Sequence, residues 1–391
     1  MKSILPDQYA VEKQFNSRVD NFFAKYEISK KLRCCNFQKT KGFSCLEIFK
    51  FIFLLVFSAK NLYRTLQSEA DSGMPQKDTI YRFLNSCRYN WRKFLLTLSS
   101  TIIKETIEPL KPHSWKNVLI LDDSLYSRNR SKAVELLARV RDHVEHKYVL
   151  GFRMLTLGWS DGNTFLPVAF SLLSSENEHN RLCGINQRLD KRTTGYKRRM
   201  ESIKKSTEVM FDLLRQAQEH GIKARYLLFD SWFAFPAIIC KVREHRLHVI
   251  CMLKSMKKVL YTYKGEKMNL DTLYKELLKK PGRAKILANA FVVIGNDSNG
   301  NPVTARILFV RDRNRSKKWL ALLTTDLELT DEEIIQIYGK RWNIEVFFKT
   351  TKSFLNLAKE FQGRSYDSMV AHTKIVFCRY IMLALENRES K

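Results

Sequence analysis

Over the first 110 residues apolar positions recur at helical spacing, and no strand-like alternation interrupts them. "LEIFKFIFLLVFSAKNLYRTL" and "TIYRFLNSCRYNWRKFLLTLSSTIIKETI" each read as helix, and "ADSGMPQKD" between them supplies Gly, Pro and an Asp78 placed to cap the second. After "KPHSWKN" the pattern changes. "VLILDDS" is a short apolar run ending on acids, which suits a buried strand. "KYVLGFRMLTLGWSDGNTFLPVAFSLLSS" gives two strands joined at a turn, Asp161-Gly162. A helix is expected from Lys197 to His220. "ARYLLFDSWF" is a second apolar run ending on an acid, "FPAIICKVREH" reads as helix and "LHVICML" as strand. This order fits an α/β sheet of mixed direction. From 257 to 326 strand-like runs dominate, and "LTDEE" then opens a helix with a capping box of Thr330 and Glu333. The 39 residues after Lys352 are mostly apolar with a helical pattern, suited to packing on the core or joining subunits.

With 391 residues the chain is long enough for two or three domains with real cores. Charge sharpens the picture: 68 Lys and Arg stand against 40 Asp and Glu, a net +28. Solubility needs far less, so a polyanion, nucleic acid above all, is the expected partner. On the later N-terminal helix Tyr81, Arg82, Arg88, Tyr89, Trp91, Arg92 and Lys93 are candidates for DNA contact, or alternatively an ordinary solvated face. The eight cysteines lack metal-ligand spacing, and Cys251 in "HVICML" reads as a reduced core thiol. "MKSILPDQYA" carries no signal-peptide apolar region, and Phe51 to Phe57 is about half a membrane span, so a cytoplasmic protein without a membrane partner is expected.

Two buried runs end on acids, Asp122 or Asp123 in one and Asp230 in the other. Either acid alone is well explained by a salt bridge. Two on neighbouring strands repel each other, and a divalent cation relieves that repulsion. Phosphoryl transfer at DNA commonly uses two Mg²⁺ ions. A third carboxylate is available on the helix expected from Tyr338 to Lys352. At about 100° per residue, Tyr338, Arg341, Glu345 and Lys352 fall within an arc of roughly 60°. Arg forks phosphate oxygens and Lys adds a point charge. Pairing of Arg341 with Glu345 inside the helix is the alternative, and geometry leaves both open. Val346, Phe347 and Phe348 are expected to seat this stripe against the sheet.

The spacing Y-(2)-R-(3)-E-(6)-K, met by Tyr338, Arg341, Glu345 and Lys352, resembles the signature of bacterial insertion-sequence transposases with an RNase H-like DDE core. The resemblance covers about residues 115 to 355 and implies an α/β fold. Its RNase H-like mixed-sheet core would span 113–256 and 327–360, interrupted by a β-rich insertion at 257–326. It also implies an all-helical, DNA-binding N-terminal domain at 1–112 and a C-terminal helical segment at 361–391. Asp122, Asp230 and Glu345 become the catalytic, metal-binding triad, with Asp122 preferred to Asp123 and Ser124 as the following hydroxyl. Two Mg²⁺ ions per site, or Mn²⁺, are the implied cofactors. Tyr338, Arg341 and Lys352 would hold phosphates, and Trp319, heading "WLALLTTD", would stack on a flipped base. The implied partners are terminal inverted repeats and target DNA, with a homodimer in the synaptic complex. The implied reaction is Mg²⁺-dependent cleavage and strand transfer, cut-and-paste through a hairpin. Two rivals stand beside it: an RNase H-like nuclease without strand transfer, and a catalytically silent DNA-binding descendant, which has no need of the full signature.

Overall fold

The computed structural model describes residues 8–57, 62–68, 73–112, 115–142, 145–280, 284–312, 318–361 and 363–390. In it the apolar runs of the chain's middle join one 11-stranded mixed sheet. In chain order the strands are β1 (Val118–Ser127), β2 (Ala138–Arg141), β3 (Tyr148–Ser160), β4 (Phe165–Leu173), β5 (Tyr226–Phe229) and β6 (His248–Leu253). They continue as β7 (Tyr261–Tyr263), β8 (Glu266–Met268), β9 (Ile286–Asn296), β10 (Pro302–Arg311) and β11 (Trp319–Thr324). Across the sheet the order is β2-β3-β1-β5-β6-β11-β10-β9-β7-β8, with β4 paired to β3 outside this path. β1, β5 and β6 run parallel, whereas β3 is antiparallel to β1 and β11 to β6. Parallel strands need both faces covered, and β5 is buried at every residue.

Helices α1 (Gln8–Lys25), α2 (Ile28–Cys34), α3 (Cys45–Leu54), α4 (Leu62–Ser68), α5 (Lys77–Leu84) and α6 (Trp91–Ile102) precede the sheet. α7 (Thr194–Ser202), α8 (Ser206–Glu219), α9 (Pro236–Glu244) and α10 (Leu270–Glu276) lie between strands. α11 (Asp331–Gly339), α12 (Trp342–Ser353) and α13 (Tyr366–Glu389) close the chain. α6, α7, α8 and α13 pack on β4, which is buried throughout. By length and composition α13 could cross a membrane, but 83% of its apolar window is buried within the protein. Its Arg379 reaches Glu360 at 2.9 Å and donates to the carbonyls of Ile52 and Phe53 in α3, while His372 shares a 2.8 Å hydrogen bond with Glu360. That network ties the end of the chain to its beginning.

Several sequence expectations change. The second N-terminal helix is two, α5 and α6, and Gln76 rather than Asp78 stands at the start of α5. The first helical run forms α3 and α4, with Ser44 and Glu47 making the capping box of α3. Tyr89 and Trp91 are core residues and Arg92 is bound to Glu201, which takes all three away from solvent-borne DNA, whereas Arg82 and Arg88 stay exposed. The helix from Lys197 to His220 is split into α7 and α8. Residues 1–7, 58–61, 70–72 and 113–114, within the N-terminal stretch, the first helical run, the "ADSGMPQKD" turn and the "KPHSWKN" segment, lie outside the described residues. The turn at Asp161-Gly162 joins β3 to β4, with Gly162 at φ 107°, a backbone that side-chain-bearing residues rarely adopt. The capping box of Thr330 and Glu333 opens α11.

Candidate active site

β1 begins as four fully buried apolar residues, Val118 to Leu121, and then carries Asp122 and Asp123 onward for half its length. Those acids are therefore inside the strand and not at its end. What ends there is the neighbour. β5 pairs with β1 from Val118↔Tyr226 to Ile120↔Leu228, and continuing that register brings Asp230 level with Asp122. Asp230 has already left the strand: its Oδ1 accepts the Trp232 amide at 2.9 Å and turns the chain. β1 beyond this point pairs with β3 alone, so the sheet opens into a cleft of about 320 Å³. Asp122, Asp123, Arg153, Asp230, Trp232 and Lys254 are among its lining residues.

Charge inside the cleft is unequally balanced. Burial first, and then the charge of Asp230, push the Asp122 carboxyl up to about 7, against the pull of Arg341. The Asp122 side chain accepts from Arg341 at 3.2 Å and from the Asp123 amide at 2.8 Å. Asp123 is paired instead with Arg153. Arg341 also reaches Glu345, four residues on, at 2.5 Å, so one guanidinium joins Asp122 to Glu345. The pairing of Arg341 with Glu345 inside the helix is present, and it extends to the sheet through Asp122.

The stretch from Tyr338 to Lys352 is not one helix. α11 ends at Gly339 and α12 starts at Trp342, with Lys340 and Arg341 between them. The Arg341 amide bonds back three residues to Tyr338, and that of Ile344 bonds to Arg341. A three-residue step eclipses the side chains at its two ends, which keeps Tyr338 beside Arg341. Lys340 fixes the junction by donating to the carbonyls of Lys116 at 2.8 Å and Asp161 at 3.1 Å. Tyr338 still stacks near Arg341, whose guanidinium lies 5.8 Å from its ring, and burial raises its hydroxyl above the usual range. Lys352 donates to the Ser124 hydroxyl at 2.5 Å, and burial lowers its ammonium below the usual lysine range. Phe347 and Phe348 are buried, with Phe347 against Phe165, Phe377 and Tyr380, but Val346 is 47% exposed and does not seat the helix.

Trp319 is not brought to the cleft. It heads β11, half-buried, with its ring 5.2 Å from Tyr274 and 5.0 Å from Phe309. The indole in the cleft is Trp232, 50% exposed, with the Arg153 guanidinium 5.1 Å from its ring. Sequence reasoning missed both Trp232 and Arg153. Trp232 stands two residues after Asp230 in "FDSWF", and Arg153 is a lone cation inside the apolar run "GFRMLTL", a pattern that called for a buried acid to pair with it.

Asp122 and Asp230 supply hard oxygen donors on neighbouring strands, with a repulsion between them that Arg341 opposes from one side, which fits a divalent cation. Glu345 is held beside them through Arg341. Among the described residues no three Asp, Glu, His or Cys side chains gather as a ready-made metal cage. The fit is therefore that of a pair, with the third acid one guanidinium away.

Comparison with known families now bears on this geometry. A family model described as "DDE superfamily endonuclease" matches residues 54–269, which contain Asp122 and Asp230. One described as "Transposase DDE domain" matches residues 204–382, which contain Asp230 and Glu345. No curated protein matches the chain. With more than half of its length within the first match, the chain belongs to the DDE superfamily of endonucleases.

Proposed function

We propose that this protein is a DNA transposase whose nuclease centre is Asp122, Asp230 and Glu345. The observation that carries the reading is the level register of Asp122 and Asp230, with Arg341 linking Asp122 to Glu345. Such a site suits phosphodiester chemistry, because it concentrates oxygen donors beside cations in a cleft open to a strand. Mg²⁺ or Mn²⁺, one or two ions, would be held by Asp122 and Asp230, with Glu345 as the third acid beyond Arg341. Bound there, metal supplies activation of water and stabilisation of the leaving oxygen.

The chain's own residues would position the DNA. Arg341 and Lys352 hold phosphates near the cut, Tyr338 supports Arg341 by ring contact, and Ser124 is oriented by Lys352. Trp232 offers an exposed indole face to an unstacked base, a task for which Trp319 is packed too closely against other rings. The strand order β4-β3-β1-β5-β6, with β1, β5 and β6 parallel, supports an RNase H-like core at 113–256 and 327–360. Residues 257–326 would then be a β-rich insertion, 1–112 a DNA-binding helical domain and 361–391 a C-terminal helical segment. The reading extends to terminal inverted repeats as substrate, cut-and-paste chemistry through a hairpin, attack of the freed 3′-OH on target DNA, a synaptic homodimer and a cytoplasmic location.

The test supplies purified protein with Mg²⁺ and a DNA fragment carrying the inverted repeats that flank the gene. Nicks at the element ends followed by joined products are expected, and chelation of the metal is expected to stop both. Ends that are cut and never joined would make the protein a nuclease. Uncut ends under every metal condition would reject the enzymatic reading.

A further inference from the structure

We infer that a second pocket, remote in its lining from the catalytic cleft, binds a small phosphate-bearing molecule. The pocket lies between α6, β4, α7, α8 and the start of α13, encloses about 350 Å³ and shares no lining residue with the cleft. That volume is within the roughly 300–1,000 Å³ usual for small-ligand sites. Its wall carries Arg92, Lys93, Lys197, Arg198 and Lys374 against a single acid, Glu201. The helices put them there by simple spacing. Lys197, Arg198 and Glu201 recur along one face of α7, and Lys374 stands eight residues beyond Tyr366 on α13.

The acids nearby are already taken. Arg92 grips both oxygens of Glu201, at 2.5 Å each, and also donates to the Phe170 carbonyl. Asp367 is shared by Arg198 and Arg199, each at 2.8 Å, and Arg199 also holds Glu135. Lys374 is left over. It is 1% exposed, its Nζ has no hydrogen-bond partner, and its neighbour is the Phe170 ring at 4.2 Å. Arg198 Nε is likewise buried without a partner. An unpaired buried cation is costly, and burial holds the Lys374 ammonium well below its usual range. An anion in the pocket would satisfy these donors.

Phosphate fits because it offers several oxygens to donors that approach from different helices, with Lys93 and Lys197 exposed at the rim. A duplex backbone does not fit, since Lys374 Nζ lies beneath the surface. Free phosphate and a mononucleotide share the chemistry, and the test separates them. Such a ligand would bridge the N-terminal helices, α7 and α13.

The experiment is calorimetric titration of the full chain, without metal, with inorganic phosphate, with ATP and with a short DNA duplex, at matched chloride ionic strength. Saturable binding of phosphate or ATP is expected, the tighter of the two marking the source. Lys374→Met is expected to weaken it about tenfold or more, the loss of a charge-assisted bond. Lys352→Ala, against Ser124 of β1, is expected to leave it unchanged. Should Lys374→Met fail to fold, the exposed pair Lys93→Ala and Lys197→Ala together is expected to weaken binding about threefold or more with an unchanged circular dichroism spectrum. No binding by the wild-type protein, affinity indifferent to these pocket variants, or loss on Lys352→Ala would overturn the site, as would a Lys374-dependent preference for the duplex. None of these results depends on cleavage activity, so the site and the transposase reading fail separately.

Discussion

Arg341 stands between Asp122 and Glu345 and within reach of the Tyr338 ring, so its removal takes away several interactions at once. Arg341→Ala is expected to lower cleavage about a hundredfold, because two partly buried carboxylates lose their shared cation. A melting curve close to wild type alongside that loss would place the effect at the site. The two indoles make a sharper pair. Trp232→Ala, altering an exposed ring in the cleft, is expected to reduce cleavage about tenfold with little change in melting temperature. Trp319→Ala, removing a ring packed on Tyr274 and Phe309, is expected to cost about 2–4 kcal/mol of stability in urea titrations. If Trp319→Ala were instead as stable as wild type and deficient in cutting, their roles would be reversed. At this scale Asp122 and Asp230 drew notice because an apolar run that ends in carboxylates is unusual. Which indole faces the cleft was not, since that depends on packing against Tyr274, forty-five residues away in sequence.

The junction of α11 and α12 shows where element-level reading stops. Thr330 and Glu333 are local signals three residues apart, and the capping box they predict is present. The break at Lys340-Arg341 has a distant cause, the bonds from Lys340 to Lys116 and Asp161. No helical periodicity reports such a contact. The register of β1 against β5 is similarly tertiary, although it is what sets Asp122 beside Asp230. The buried Arg379–Glu360–His372 group gives this scale its prediction. Arg379→Met leaves Glu360 buried with a weaker partner and is expected to cost about 3–5 kcal/mol, read by urea denaturation. Burial alone would raise the Glu360 carboxyl, but bonds from His372 and the charge of Arg379 outweigh it and hold it below 4.5. A depressed carboxylate stabilises the fold above its unfolded value and loses that contribution as pH falls through the folded one. Stability should therefore drop on acidification below about pH 4.5, and less steeply in Glu360→Gln, an outcome that denaturation series at pH 3 and pH 6 would check.

Over the whole molecule the surplus of 28 positive charges sets the expected physics of association. If the chain neutralises several DNA phosphates, affinity should fall about a thousandfold between 50 and 200 mM salt, measured by fluorescence anisotropy. A shallow salt dependence would mean that the charge serves another purpose. Net charge was fully legible from composition, but its placement was not: Arg92, marked for DNA, is spent on Glu201, and Tyr89 and Trp91 are core. The central claim concerns the three acids. Asp122→Asn, Asp230→Ala and Glu345→Ala should each be assayed with Mg²⁺ on DNA carrying the element's own ends, after circular dichroism has shown each variant folded. The account predicts that every one loses cleavage by about a thousandfold or more while still binding the DNA. Cleavage persisting near the wild-type rate in any folded variant would contradict it.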